Sequence, residues 1–362
     1  MEKLISKIAF YGSPYEYSLF LEGSQELEAE IFRIEENPLE TPCDLLVWGH
    51  MLPDFDSAGI VRSTNSGPDN VAVISHGPYP LSGAPCPVDP TSDTYNFQWL
   101  SDTTLAKYIV RLVEDQQNAD FWYNTMHKRL IILLEDEINY ASYIIPLIID
   151  ELERRTLSLM PSQSACTRLD KIHRERPILL VAANYDQVVK YLNLYSDRTV
   201  GIISSLGFPM AGKNNLDAGF ALIDYVKGLQ WDIPVVIISS QQDKKQEIVR
   251  RNAAFLHKNS PDLLSHLRNE MLDYFGFGDF IFRMPGDSKS EVARARNLKE
   301  LHECLSWIPL PSFIYHAQKR HFSNWLGVHG YLEAAESIRP IPAEQGEQAR
   351  TELVNILKSL CS

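Results

Sequence analysis

Between residues 129 and 275, short runs of branched apolar residues alternate with stretches whose apolar positions recur at helical spacing. The run Arg129–Leu134 is apolar and stops abruptly at Glu135-Asp136-Glu137, as a buried parallel strand stops at the carboxyl edge of its sheet. A helix is predicted from about Asn139 to Leu159, with Pro146 as a kink, and Pro161–Pro177 is polar and helix-compatible. Strands are then predicted at Ile178–Ala182, Val200–Ser204, Val235–Ser239 and Ala254–His257. Helices alternate with them at Asp186–Leu194, Ala218–Leu229, Lys244–Asn252 and Pro261–Phe275. Such alternation specifies an α/β fold, a doubly wound five-stranded parallel sheet covered by helices on both faces.

The first 120 residues repeat the pattern more faintly. Lys7–Tyr11, Ala29–Ile34, Asp44–Trp48 and Val71–Ser75 read as strands, and Thr103–Gln116 as a closing helix. Long loops are marked by Pro, Gly and Ser at Gly67–Asn70 and Gly77–Ser92. Beyond Gly276 the texture changes. Asp279–Arg283 and Val292–Ala295 flank Pro285-Gly286-Asp287 as a small hairpin. Helices follow at Leu298–Trp307, at Ser312–Ile338 after the break at Pro309–Pro311, and at Glu344–Leu360. Three modules are therefore expected: residues 1–120, 125–275 with an extended first helix, and a mainly helical 276–362.

Composition narrows the function classes. Hydrophobic residues make up 44% and charged residues 22%, which is globular rather than disordered. The net charge is −13, and essentially all of it falls in residues 1–120. Without a basic stripe, nucleic acid is not expected as a partner, because phosphate neutralisation supplies most of that affinity. Cys43, Cys86, Cys166, Cys304 and Cys361 are scattered, with no CxxC pair, so reduced buried thiols are expected. No run approaches the length of a spanning helix. The expectation is a cytoplasmic chain with no membrane insertion.

The candidate chemistry lies at the strand ends. Glu135 and Asp136 close IILLEDE, Ser239 closes PVVIISS, and Lys258 follows the strand in AFLHKNSPDLL. These runs resemble response-regulator receivers, which are flavodoxin-like folds with their site at the carboxyl edge of the sheet. The resemblance implies that Glu135 and Asp136 stand at the metal-binding acidic pair, and Ser239 and Lys258 at the phosphoryl-binding positions. It also puts Phe255 at the aromatic switch position. The third strand, VGIISSLGFP, places Ser205 where receivers carry the phosphate-accepting aspartate. Acyl-phosphate formation needs a carboxylate nucleophile, and a serine without a nearby general base would not replace it. The expectation is a phosphorylation-incompetent pseudo-receiver whose Glu135, Asp136, Ser239 and Lys258 form a standing polar network. Mg²⁺ binding is weak at best, and no other cofactor is expected. The first module is emptier still. Gly49 stands at the acceptor position of DLLVWGHMLPDFD, Tyr11 and Gly12 replace the acidic pair, Ser75 takes the hydroxyl position, and Trp99 stands near the lysine position.

Residues 125–342 resemble a narrower group as well. LLEDE, PILLVAANYDQ, GIISS, FLHKNSP, GFGDFIFR (Gly276–Arg283) and YHAQKRHFSNWL are similar to receiver-like regions fused to PEP-synthase-type, PEP/pyruvate-binding enzymes. The chain stops at Ser362, where such fusions continue, so the resemblance implies a regulatory or docking portion rather than the catalyst. By analogy with receivers, Lys244–Phe275 is a pairing face. The expected partners are a sensor kinase, a phosphotransfer enzyme or a second copy, in a homo- or hetero-oligomer acting through protein contact. The alternatives are a regulatory subunit of a PEP-synthase-like phosphotransferase and a receiver phosphorylated at a non-standard residue.

Four further patterns compete with bland readings. Gly207–Asn214 nearly matches the P-loop GxxxxGK[ST], but Asn214 replaces the metal-binding hydroxyl. His316 and His321 are five apart rather than four, which favours packing or capping over metal. The aromatic run containing Phe322 and Trp325 reads as core at helical spacing. The alternative, for these residues together with His316 and His321, is a docking surface. Asp54 and Asp56 beside Pro53 read as turn residues.

Overall fold

The computed structural model describes residues 2–49, 68–75, 87–89, 93–99, 104–159 and 175–361. The expectations for Asp54, Asp56, Cys86, Cys166 and most of Pro161–Pro177 lie outside the described residues.

The first sheet is built from β1 (Lys7–Tyr11), β2 (Glu30–Ile34), β3 (Leu45–Gly49), β4 (Asn70–Ser75), β5 (Val88–Asp89) and β6 (Thr94–Gln98). Five of these run parallel in the order β2-β1-β3-β4-β6, and short β5 pairs antiparallel at the edge. Helix α1 (Pro14–Gly23) follows β1. Ser13 and Glu16 start it as a capping box, each side chain accepting from the other's backbone N–H. Helix α2 (Leu105–Gln117) and short α3 (Ala119–Asn124) lead to the second module. Neither β6 nor α1 is expected from the sequence pattern.

The second module runs through β7 (Leu130–Leu134), α4 (Ile138–Leu159), β8 (Ile178–Ala182), α5 (Tyr185–Tyr195) and β9 (Thr199–Ser205). After a small hairpin, β10 (Phe208–Met210) and β11 (Lys213–Asn215), come α6 (Ala218–Gly228), β12 (Val235–Ser239), α7 (Lys245–Arg250), β13 (Ala254–His257) and α8 (Leu263–Tyr274). Its five parallel strands are ordered β8-β7-β9-β12-β13. Numbered within each sheet, both orders read 2-1-3-4-5, the flavodoxin-like arrangement. The fold class is thus α/β with two such sheets in tandem. Helix α4 continues through Pro146.

The two sheets share a core. Apolar residues of α2, including Ile109, Leu112 and Val113, are buried in one cluster with Ile131, Leu133, Leu179 and Val181 of the second sheet. Polar residues of α2 also cover the second sheet's open edge at β8. Asp115 accepts from the Leu179 N–H at 2.9 Å, and Gln116 donates to the Val181 carbonyl at 2.9 Å. Edge strands left uncovered are templates for misassociation, so this cap has a physical purpose. Fully buried Arg176 completes it with a two-pronged bond to Asp115, at 2.8 and 3.0 Å.

The last module begins with the antiparallel pair β14 (Phe280–Met284) and β15 (Asp287–Ala295). Five helices follow: α9 (Leu298–Leu305), α10 (Leu310–Gln318), α11 (His321–Val328), α12 (Leu332–Ile338) and α13 (Glu347–Cys361). The single helix expected over Ser312–Ile338 is therefore three. Left-handed Arg320 and Gly330, at φ of 58° and 82°, break it twice. This module docks at the amino-terminal edge of the second sheet. Buried Arg129 donates to the Ser323 carbonyl at 2.7 Å and pairs with Glu336, which also takes Arg198 at 2.6 Å. Gly327 makes room, since a Cβ there would lie 2.5 Å from the Arg129 guanidinium carbon.

Candidate functional site

Glu135, Ser205, Ser239 and Lys258 lie together because the strand registers align them. Leu134 pairs with Ser204, Ser205 with Ile238, and Ser239 with His257. Each polar residue therefore stands at the carboxyl edge of its strand, where an open parallel sheet forms its crevice.

Within the crevice Glu135 is the hub, with only 2% of its surface exposed. Its Oε2 accepts from the Ser205 hydroxyl at 2.6 Å, and its Oε1 accepts from the Glu137 N–H at 3.0 Å. Burial pushes the carboxyl up to about 7, against the opposing pull of Lys258 and Ser205. Lys258 Nζ lies 3.9 Å from Glu135 Oε2, bonds Glu137 Oε2 at 2.6 Å, and sits 4.0 Å from the centre of the Tyr140 ring. The ammonium is held by an acid on one side and an aromatic face on the other. Asp136 is half-buried, and burial raises its carboxyl above the usual range. The Ser239 hydroxyl accepts from the Gln241 N–H at 3.1 Å.

One expectation changes here. Ser205 does have a basic group beside it. Glu135, seventy positions away in sequence, is its hydrogen-bond partner.

Other predicted residues fall elsewhere. Phe255 lies midway along β13 with its side chain packed against the core, beside a cleft of about 640 Å³ that also borders Trp231, Asp232 and Tyr315. The docking alternative for His316, Phe322 and Trp325 is corrected and the core reading of the aromatic run holds: all three are buried. Phe322 stacks on Phe280 at 4.8 Å, and the Trp325 indole donates to the Gly278 carbonyl. The apolar GFGDFIFR strand needs covering, and these aromatic rings cover it. His316 accepts from the Arg283 N–H at 2.8 Å and meets His321 at 2.9 Å between Nδ1 atoms. Burial drives His316 down to about 2, so it is neutral. Half-buried His321 reaches Asp232 at 3.6 Å. The P-loop resemblance, already broken at Asn214, has no counterpart in the structure. Gly207–Asn214 forms most of the β10–β11 hairpin, turned by Ala211 and Gly212 at φ of 51° and 73°, a two-residue turn and not a phosphate cradle.

The first module's crevice holds one carboxylate that sequence reasoning missed. Glu16, buried to 3% exposure, accepts from the Ser13 N–H at 2.8 Å. Its carboxylate covers Gly49, where a Cβ would lie 3.0–3.2 Å from it, and a Cβ on Gly12 would lie 3.1 Å from its Oε2. The Ser-x-x-Glu spacing of the capping box was the available signal. Ser75 is buried at the end of β4, and Trp99 packs on the core.

Among the described residues no group of three His, Cys, Asp or Glu is arranged to hold a metal, and no helix is long and apolar enough to cross a membrane. No family model and no curated relative matches the chain. Solved structures do. One is the E. coli RcsC C-terminus containing a linker region and phosphoreceiver domain, at 14% identity over 73% of this chain and 92% of that one, with a TM-score of 0.25. Another is a putative two-component system response regulator/GGDEF domain protein, at 10% identity over 74% and 98%, with a TM-score of 0.28. Superpositions this loose carry no argument. The fold rests on strand order.

Proposed function

We propose that this chain is a cytoplasmic signalling protein whose receiver-like modules lack an aspartyl-phosphate switch and which acts by binding another protein. The observation that supports this is the pair of acceptor positions. Ser205 ends the third strand of the second sheet and is bonded to Glu135, and Gly49 ends that of the first beneath Glu16. An acyl phosphate forms only on a carboxylate free to attack, and neither strand end presents one. The Glu135 network holds one arrangement of the crevice without a phosphoryl group.

On this reading Mg²⁺ has a poor seat at Glu135 and Asp136. Magnesium takes hard, ionised oxygen ligands in octahedral array. Both Glu135 oxygens already accept hydrogen bonds, and the third carboxylate of a receiver site is replaced by Ser205. The partner is a sensor kinase, a phosphotransfer enzyme or a second copy of the chain.

The test is incubation of the full chain with acetyl phosphate and Mg²⁺, followed by hydroxylamine. Acyl phosphates are cleaved by hydroxylamine and phosphate esters are not. No hydroxylamine-labile phosphoryl group is expected; one labile group per chain would sink the proposal.

A further inference from the structure

The second crevice contains more than an inert plug. Ser205 Oγ donates to a buried carboxylate oxygen at 2.6 Å, and an ammonium stands 3.9 Å from that same oxygen. A hydroxyl, a base within hydrogen-bond reach and a fixed cation beside them make an activated nucleophile with a charge partner for an incoming anion. Ser239, one position past the residue paired with Ser205, has its hydroxyl proton available to a phosphoryl oxygen, since its Oγ accepts from Gln241. Ser205 keeps 8% of its surface, so a donor must reach it through the crevice mouth.

We infer that Ser205 is a phosphorylation site, with Glu135 as its general base and Lys258 as the group that receives the phosphoryl charge, using an acyl phosphate as donor. The Ser205 Oγ–P bond forms as the bridging O–P bond of the donor breaks. The carboxylate of the donor leaves, and the hydroxyl proton passes to Glu135 Oε2. The product is a phosphate monoester, stable where an aspartyl phosphate is labile. Protonated Glu135 is then neutral beside the new dianion, which removes the repulsion a standing carboxylate would exert. Lys258 reaches the phosphate by leaving Glu137, its exposed partner at 2.6 Å. This inference goes beyond the proposed function. It shares the crevice with that reading but concerns an ester, not an acyl phosphate.

The full chain is incubated with acetyl phosphate in EDTA, treated with hydroxylamine, and followed by intact mass and by fragment mapping of the modified peptide. One hydroxylamine-stable phosphoryl group on Ser205 is expected. Ser205→Ala should abolish it, and Glu135→Gln, which keeps the shape without the base, should slow it about 100-fold or more. Glu137→Ala should speed it by freeing Lys258. No adduct on the wild type, or a stable adduct mapped to another residue, overturns the inference and leaves the proposed function standing. So does an unchanged rate in Glu135→Gln. A hydroxylamine-labile adduct overturns the proposed function instead. Mapping on the wild type decides the site even if a variant fails to fold.

Discussion

At the carboxyl edge of the first sheet the third strand ends in Gly49, and at that of the second it ends in Ser205. The strand order is the same in both sheets, and both positions lack the carboxylate that a phosphate-accepting strand would carry. They are filled from opposite directions. In the first module a helix reaches back, and Glu16 of α1 covers the glycine while its partner Ser13 caps the same helix. In the second, strand β7 supplies Glu135, which bonds a hydroxyl on the neighbouring strand and stands near a lysine from a third. The first arrangement closes a space. The second keeps a nucleophile, a base and a cation in reach of one another. Equal topology therefore leaves the chemistry open, and the side chains at the edge decide it.

The largest effect should come from the element that makes the two modules one body. Asp115→Ala leaves fully buried Arg176 without its carboxylate and uncovers the Leu179 N–H at the edge of β8. Breaking a buried pair from one side costs about 3–5 kcal/mol. Denaturant unfolding should show that loss with both modules unfolding together. A loss confined to the first module, with the second unaffected, would break the picture of a shared unit.

Next in size is the pH dependence that separates the two crevices. Glu135 titrates at about 7 when folded, against 4.5 for the free side chain. At this carboxyl the folded state binds more protons between these values, so the contribution of Glu135 to stability falls as pH rises from 4.5 to 7 and is constant on either side. The change is on the order of 3 kcal/mol. Glu135→Gln should remove that contribution, giving a shallower slope across the window in thermal melts at fixed ionic strength. Equal slopes for wild type and Glu135→Gln would remove Glu135 as the source.

Gly49→Ala probes the other crevice. Its Cβ would stand 3.0 Å from a Glu16 oxygen, and a close contact in a packed site costs about 1–3 kcal/mol. Glu16→Ala should relieve that cost, so the two changes together should be less damaging than their sum. Strict additivity in a double-mutant cycle would show that Glu16 does not fill the space above Gly49.

What the chain disclosed in advance follows from where its information lies. The buried strands of the second sheet were legible because runs such as Leu130–Leu134 and Val235–Ser239 are unbroken apolar stretches ending in polar residues. Strand β6, Thr94–Gln98, was not, because it holds a Thr and an Asn and follows a Pro- and Ser-rich loop. Its burial comes from neighbours on both sides rather than from its own pattern. The helix break at Arg320 had no signal either, since nothing marks an arginine for left-handed backbone, although Gly330 was a readable stop. For the site, each residue could be placed at its strand end from sequence. The bond between Ser205 and Glu135 could not, because it depends on register between strands seventy residues apart. That bond turned a serine expected to have no base into one that has it. The aromatic residues, which went inward, left core and docking face both open in the sequence for a related reason, since helical spacing identifies a face without saying what packs on it.

The smallest effect tests the bond itself. Ser205→Ala removes one hydroxyl and leaves Glu135 Oε2 without that donor, while Lys258 still stands 3.9 Å away. A buried hydrogen bond to a carboxyl contributes about 1–3 kcal/mol, and the retained cation and the Glu137 N–H put this loss at the low end, about 1 kcal/mol. The sign of a second readout is more telling than the size of the first. The hydroxyl donates to the ionised form, so losing it should move the Glu135 midpoint upward and shift the pH window of stability with it. An unmoved window in Ser205→Ala would mean that the hydroxyl does not bond the carboxylate in solution. The second crevice would then be as closed to chemistry as the first.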